Sequence, residues 1–321
     1  MGKVALLFAG QGAQRPGMCE ALSAREPAAA GVFAMADEVR PGTSAQCFSG
    51  TKEELALTQN TQPCVFAADL ACARALAAHG VRADFVAGFS LGEVAALAFA
   101  GSLSDEAAMR LVCRRAELMA DAAERHPGGM RAVLRLDSAT VEALATEVGD
   151  VWTVNYNSPQ QTVVAGLPAS LERLDALVLE MGGRSCVLAV SGAFHSPLMA
   201  SASAGLAEYL ASACELGAPA MTVISNVTGG PYPAAGRPSA ARAELLARQV
   251  ASPVQWVRSL EYLQAQGVDT FIEVGPGKTL AGLVGRTLGG ARALSCETPG
   301  QLDAVVAELG LSGEANYREE A

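Results

Sequence analysis

Short apolar runs closed by glycine-bearing turns alternate along this chain with longer stretches whose apolar residues fall three and four apart. Val4–Phe8 predicts a buried strand running into the loop Gly10-Gln11-Gly12-Ala13-Gln14. Val86 and its neighbours predict a second strand, and Glu93–Ala100 a helix directly after it. Gln62–Leu76 and Asp105–Glu124 read as helices with apolar faces, the latter broken by Pro127-Gly128-Gly129. The texture then changes. Strand signals at Arg131–Leu136, Val151–Tyr156, Thr162–Ala165 and Ser185–Leu188 enclose helices at Thr140–Glu147 and Ala169–Met181. That β-α-β-β-α-β order is the ferredoxin-like split pattern, a compact insert in a larger α/β unit. Beyond it, Met221–Ser225, a helical stretch Arg242–Gln266 and Thr270–Val274 resume the first alternation, and Gly313–Ala321 reads as a frayed polar end.

With 321 residues, half of them apolar, the chain can bury a large core. Its net charge of −10 argues against nucleic acid or an anionic membrane as partner. The eight cysteines show no Cys-x-x-Cys pair or metal-ligand spacing, which predicts reduced core residues of a cytoplasmic protein and no metal site. Val4–Ala9 is too short for a signal peptide, and no apolar run approaches a membrane span.

The chemistry is stated most openly at Asp84–Glu93. Gly88-Phe89-Ser90-Leu91-Gly92 fits Gly-x-Ser-x-Gly between a predicted strand and a predicted helix. A serine on that sharp turn is strained, exposes its hydroxyl, and faces the unpaired N–H groups of a helix start. Three histidines are available as its base. His79 ends an alanine-rich helix and His126 sits in a surface breaker, which leaves His195, after Ser191-Gly192-Ala193-Phe194. No acid is marked as a third triad member. Asp175 and Glu180 fall on a surface helix of the insert, so a neutral oxygen could orient the imidazole instead.

In the helix Asp105–Glu124, Arg110, Arg114, Glu117 and Asp121 form a solvated stripe, but Arg115 has Leu111, Val112, Leu118 and Met119 as its helical neighbours. An inward arginine keeps its charge and must find an anion, either an internal carboxylate or that of a substrate.

Nine motifs in order now carry a resemblance across nearly the whole chain. They are FAGQGAQ (Phe8–Gln14), NTQP (Asn60–Pro63), GFSLGE (Gly88–Glu93), RRAELM (Arg114–Met119) and NYNSPQQTVVAG (Asn155–Gly166). SGAFHSPLM (Ser191–Met199), SNVTG (Ser225–Gly229), QVASPVQW (Gln249–Trp256) and EVGPGKTL (Glu273–Leu280) complete the series. The sequence resembles the malonyl-CoA:acyl-carrier-protein transacylase family, which includes the acyltransferases of fatty-acid and polyketide synthesis.

The resemblance implies an α/β fold: a large hydrolase-like subdomain with a parallel sheet (1–127 and 195–321) interrupted by a small ferredoxin-like one (128–194), with the active site between them. It implies Ser90 as acylated nucleophile and His195 as base, with Gln249 helping to orient the imidazole through side chain or main chain. The N–H groups of Gln11 and Leu91 would form the oxyanion hole, and Arg115 would hold a malonyl carboxylate. Gln62, Asn157, Phe89 and Phe194 would line the substrate cleft. Phe89 stands where most members have histidine, a change that could alter acyl selectivity, and Ala116 replaces a common glycine. Phe194 is similar to the malonyl-selective members, because a phenyl ring crowds the acyl α-carbon. The implied partners are a CoA thioester and acyl carrier protein, with no cofactor, and a monomer is expected. An acidic carrier would need a local basic patch, with Arg237, Arg242, Arg248 and Arg258 as candidates. Hydrolysis of stalled acyl groups and a non-catalytic scaffold are the alternative functions.

Overall fold

A computed structural model describes residues 2–311; the expected fraying at Gly313–Ala321 lies outside them. Five strands, β1 (Lys3–Phe8), β2 (Phe85–Gly88), β7 (Thr222–Ile224), β8 (Val268–Val274) and β9 (Arg292–Cys296), form one sheet in the order β7-β2-β1-β8-β9. Every pairing in it is parallel. Helices cover both faces, so β1, β2 and β8 are buried almost throughout and read as continuous apolar runs.

The remaining strands, β3 (Gly129–Leu134), β4 (Val151–Ser158), β5 (Gln161–Gly166) and β6 (Arg184–Val187), form a second sheet in the order β4-β5-β3-β6. It is antiparallel and carries the helices Ser138–Val148 and Pro168–Glu180, which close a separate apolar cluster around Val133, Val164 and Leu171. The expected α/β fold with its ferredoxin-like insert is the one observed. Among the described residues, no helix is long and apolar enough to cross a membrane.

Two helices depart from expectation. The helix expected from Gln62 begins at Thr58 and runs to Ala78, carrying Pro63 inside it just past the first turn, where proline removes a helical hydrogen bond. The single helical stretch Arg242–Gln266 is two helices, Ser239–Gln249 and Trp256–Ala265. Pro253 disfavours helical backbone at Ser252, and the intervening segment pairs with the small sheet instead. Val254 N–H donates to the Val154 carbonyl (2.8 Å), and the Val254 carbonyl accepts from Tyr156 N–H (2.9 Å). The interruption brings the end of the first helix against His195.

Candidate active site

β2 delivers the chain to Ser90, and the helix Gly92–Phe99 carries it away. The turn is so tight that a Cβ at Gly88 would strike the Gly92 backbone, and one at Gly92 would strike the carbonyls of Phe8 and Ala9. Ser90 takes a left-handed conformation (φ 53°), and so does His195 (φ 63°). Both are strained positions for residues with a side chain, held by what surrounds them.

Ser90 Oγ lies 2.7 Å from His195 Nε2. His195 Nδ1 lies 2.9 Å from the Gln249 carbonyl, and the His195 backbone N–H donates to the Val250 carbonyl (3.1 Å). A carbonyl only accepts, so Nδ1 carries the proton and Nε2 is free to accept the serine proton. Burial and then the Arg115 charge pull the imidazole down to about 4, against the favourable hydrogen bonds to backbone. The ring is therefore neutral at physiological pH, as a base must be. Asp175 and Glu180 play no part here: Asp175 pairs with Arg131 (3.0 Å) and Glu180 is exposed. His79 lies 2.9 Å from Glu26, and His126 is exposed.

Arg115 is 1% exposed. Its Nη1 donates to Gln62 Oε1 (2.7 Å), and Nη2 to Gln249 Oε1 (2.9 Å) and Ser90 Oγ (3.1 Å). Nε has no partner, and no carboxylate stands within ion-pair distance among the described residues. Burial lowers its pKa to about 10, so it keeps its charge. The internal-carboxylate alternative thus finds no directly bonded partner. Gln249 divides its labour: its main chain orients His195, while its side chain accepts from Arg115 and donates to the Ser90 carbonyl (2.7 Å).

The backbone N–H groups of Gln11 and Leu91 have no acceptor among the described residues. The Gln11 side chain donates to Thr58 Oγ1 (3.2 Å), itself 3.1 Å from Ser191 Oγ. A cavity of about 240 Å³ opens onto Ser90 and His195, and Gln11, Gln62, Phe89, Asn157 and Phe194 all line it. Asn157 Oδ1 is buried without a partner among the described residues, and Phe89 packs edge-on against Trp256 with ring centroids 5.2 Å apart. Of the four arginines expected to form a basic patch, Arg242 is excluded. It is buried, donating to the carbonyls of Leu216 (3.0 Å) and Arg237 (3.1 Å), whereas the other three are exposed.

Three residues of the site were not singled out from the sequence. Asn226 Oδ1 accepts from Ser90 N–H (2.6 Å) and its Nδ2 donates to the Gly88 carbonyl (2.6 Å), so one amide clamps the turn on both sides. Its own N–H donates to Glu93 Oε2 (2.7 Å), and Tyr232 donates its phenol to Glu93 Oε1. The signals were present, as Asn226 lies in SNVTG and Glu93 ends GFSLGE, but neither motif says which residue faces the turn.

A strained serine between a parallel strand and a helix, bonded to a neutral imidazole, is the arrangement of enzymes that pass acyl groups through a serine ester. The chain belongs to the acyl transferase domain family, which it matches over residues 5–306. It is 37% identical over 315 residues to the malonyl CoA-acyl carrier protein transacylase of Bacillus subtilis, covering 96% of this chain and 98% of that one. The crystal structure of the malonyl CoA-acyl carrier protein transacylase from Clostridium perfringens superposes with a TM-score of 0.90 at 33% identity, over 96% of this chain and 97% of that one. A malonyl-transacylase solved in complex with a type II polyketide synthase acyl-carrier protein gives 0.90 at 33% identity, over 95% and 99%.

Proposed function

We propose that this enzyme transfers a malonyl group from malonyl-CoA to the phosphopantetheine thiol of an acyl carrier protein through a malonyl ester on Ser90, in fatty-acid or polyketide synthesis. The observation that carries the reading is the buried Arg115 guanidinium, 3.1 Å from Ser90 Oγ and without a carboxylate partner among the described residues. A malonyl group is an acyl group with an anion two carbons from its thioester, so one molecule can satisfy both serine and arginine.

In the first half-reaction His195 Nε2 takes the Ser90 proton and Oγ attacks the thioester carbonyl. The N–H groups of Gln11 and Leu91 receive the developing oxyanion. The intermediate collapses, the C–S bond breaks, and the CoA sulfur leaves with the proton from His195. In the second half the carrier thiol gives its proton to His195, attacks the serine ester, and Ser90 recovers that proton as the malonyl thioester departs. Arg115 holds the carboxylate in both halves, and Gln249 keeps imidazole and guanidinium in register. Phe194 and Phe89 wall the acyl group, while Gln62 and Asn157 complete the cleft. No step calls for a cofactor.

The reading assigns residues 1–127 and 195–321 to the catalytic unit and 128–194 to a small unit that closes the cleft. It also takes the enzyme to act in the cytoplasm as a monomer, presenting Arg237, Arg248 or Arg258 to an acidic carrier. A hydrolase clearing uncharged acyl chains would have no use for a buried cation beside its nucleophile.

The test is steady-state transfer to holo-carrier protein with both substrates varied. Parallel double-reciprocal lines, and a Ser90→Ala variant without turnover, are expected. Intersecting lines, or free malonate as the main product when carrier is present, would overturn the reading.

A further inference from the structure

Arg115 is buried, charged and without a bonded anion among the described residues, a costly arrangement unless some anion lies near. One does, a residue further back. Glu93 is completely buried, accepts from Asn226 N–H and the Tyr232 phenol, and is the group whose negative charge supports that of Arg115. Gln249 and Asn226 link the two: Gln249 Oε1 accepts from Arg115 (2.9 Å), Gln249 Nε2 donates to Asn226 Oδ1 (3.5 Å), and Asn226 N–H donates to Glu93 Oε2 (2.7 Å). The two charges are thus linked through Gln249 and Asn226 rather than paired.

We propose that Glu93 is the resident counter-charge of Arg115, a positioning residue that sets how strongly the site prefers an acyl group carrying its own carboxylate. The proposal rests on the malonyl reading above. Ionised Glu93 offsets part of the guanidinium field in the empty cavity and weakens its pull on an incoming anion. Neutral Glu93 leaves that field whole. The coupling is reciprocal, so a carboxylate seated on Arg115 must favour protonation of Glu93 by the same factor.

The groups facing Glu93 are Arg115 from its helix, the Tyr232 phenol, and the uncharged amides of Asn226 and Gln249. Burial pushes Glu93 up to about 7, although its hydrogen bonds and Arg115 act against that rise. Its charge therefore changes within the working pH range. An uncharged acetyl group makes no carboxylate contact and should be indifferent to it, and the CoA moiety common to both donors cancels in a ratio.

The experiment measures kcat/KM for Ser90 acylation by malonyl-CoA and acetyl-CoA from pH 6 to 8.5, in wild type, Glu93→Gln and Tyr232→Phe. In wild type the malonyl-to-acetyl ratio should fall roughly five-fold as pH rises through about 7, the lower end of typical coupling strengths. Glu93→Gln keeps the shape and an acceptor for Asn226 N–H. It should hold the high ratio at every pH, with the gain in KM for malonyl-CoA rather than in kcat. Tyr232→Phe removes a donor from the carboxylate and should move the midpoint upward. If Glu93→Gln does not fold, the wild-type and Tyr232→Phe profiles decide the matter. A flat wild-type ratio, or equal losses on both donors in Glu93→Gln, would overturn the proposal while leaving malonyl transfer intact. Wild-type enzyme that accepts no malonyl group would overturn it together with the reading it rests on.

Discussion

Replacing Asn226 with alanine should damage the enzyme more than any other single change outside the reacting groups. The side chain makes two hydrogen bonds of 2.6 Å, one from Ser90 N–H and one to the Gly88 carbonyl, in a place that is 1% exposed. Both backbone groups would be left buried and unpaired, at about 1–3 kcal/mol each, or about 2–6 kcal/mol together. Part of that cost would be relieved by letting Ser90 leave its left-handed conformation, which itself stores about 1–3 kcal/mol. Relief of that kind moves Oγ off the 2.7 Å contact with His195. Displacements of about 1 Å from a productive geometry cost on the order of 100-fold in rate. Thermal unfolding with and without acyl-CoA, together with stopped-flow acylation of Ser90, reads both effects. Asn226→Ala should melt several degrees lower and acylate about 100-fold more slowly. Asn226→Asp should not rescue it, because it keeps an acceptor for Ser90 but turns a second anion toward the Gly88 carbonyl and Glu93. A variant with native melting temperature and native acylation would refute the idea that this amide holds the turn.

Arg115→Ala should lower kcat/KM for malonyl-CoA by roughly 100-fold or more, the worth of a charge-assisted pair lost from a buried site, while acetyl loading changes far less. Equal losses on both donors would remove the carboxylate clamp from the account. With acetyl-CoA, acylation should not fall at the ordinary histidine value of 6.5 and should fail only toward about 4, where His195 takes a proton. The same depressed pKa means that the folded state resists protonation, so His195's contribution to stability is present above 6.5 and is lost as pH falls toward 4. An acylation profile with its acidic limb at 6.5 would contradict the buried neutral imidazole. Phe194→Ser should raise the methylmalonyl-to-malonyl ratio by about ten-fold or more in a competition assay, because it replaces a ring lining the cavity with a much smaller side chain.

Much of this molecule was legible because its periodicities are clean. The split β-α-β-β-α-β order of residues 129–187 shows in alternating strands bounded by glycine and proline, and the strands appear where the pattern put them. The errors were at boundaries that tertiary contacts set. Nothing local says that Val250–Gln255 leaves the helix to pair with β4, though Pro253 is a warning, and no propensity begins a helix at Thr58 five residues before a proline. The helices Pro27–Val39, Thr43–Ser49 and Lys52–Ala56 lay in a stretch whose pattern gave no reading.

Ser90 and His195 could be found because their chemistry needs rare residues in a recognisable turn. Arg115 could be found because an arginine among apolar neighbours is anomalous. Asn226, Glu93 and Tyr232 could not, since their roles exist only through contacts spanning 133 to 139 residues of sequence. Arg242 misled for the opposite reason: a cation in a polar-looking segment reads as surface, yet it is buried against backbone carbonyls.

The most direct test of the central claim is the intact mass of the protein after brief exposure to malonyl-CoA, methylmalonyl-CoA and acetyl-CoA in turn. The account predicts a stable malonyl adduct on wild type, absent from Ser90→Ala, that holo-carrier protein discharges onto its own thiol. Steady release of free malonate with no adduct, or an adduct that persists in Ser90→Ala, would contradict it.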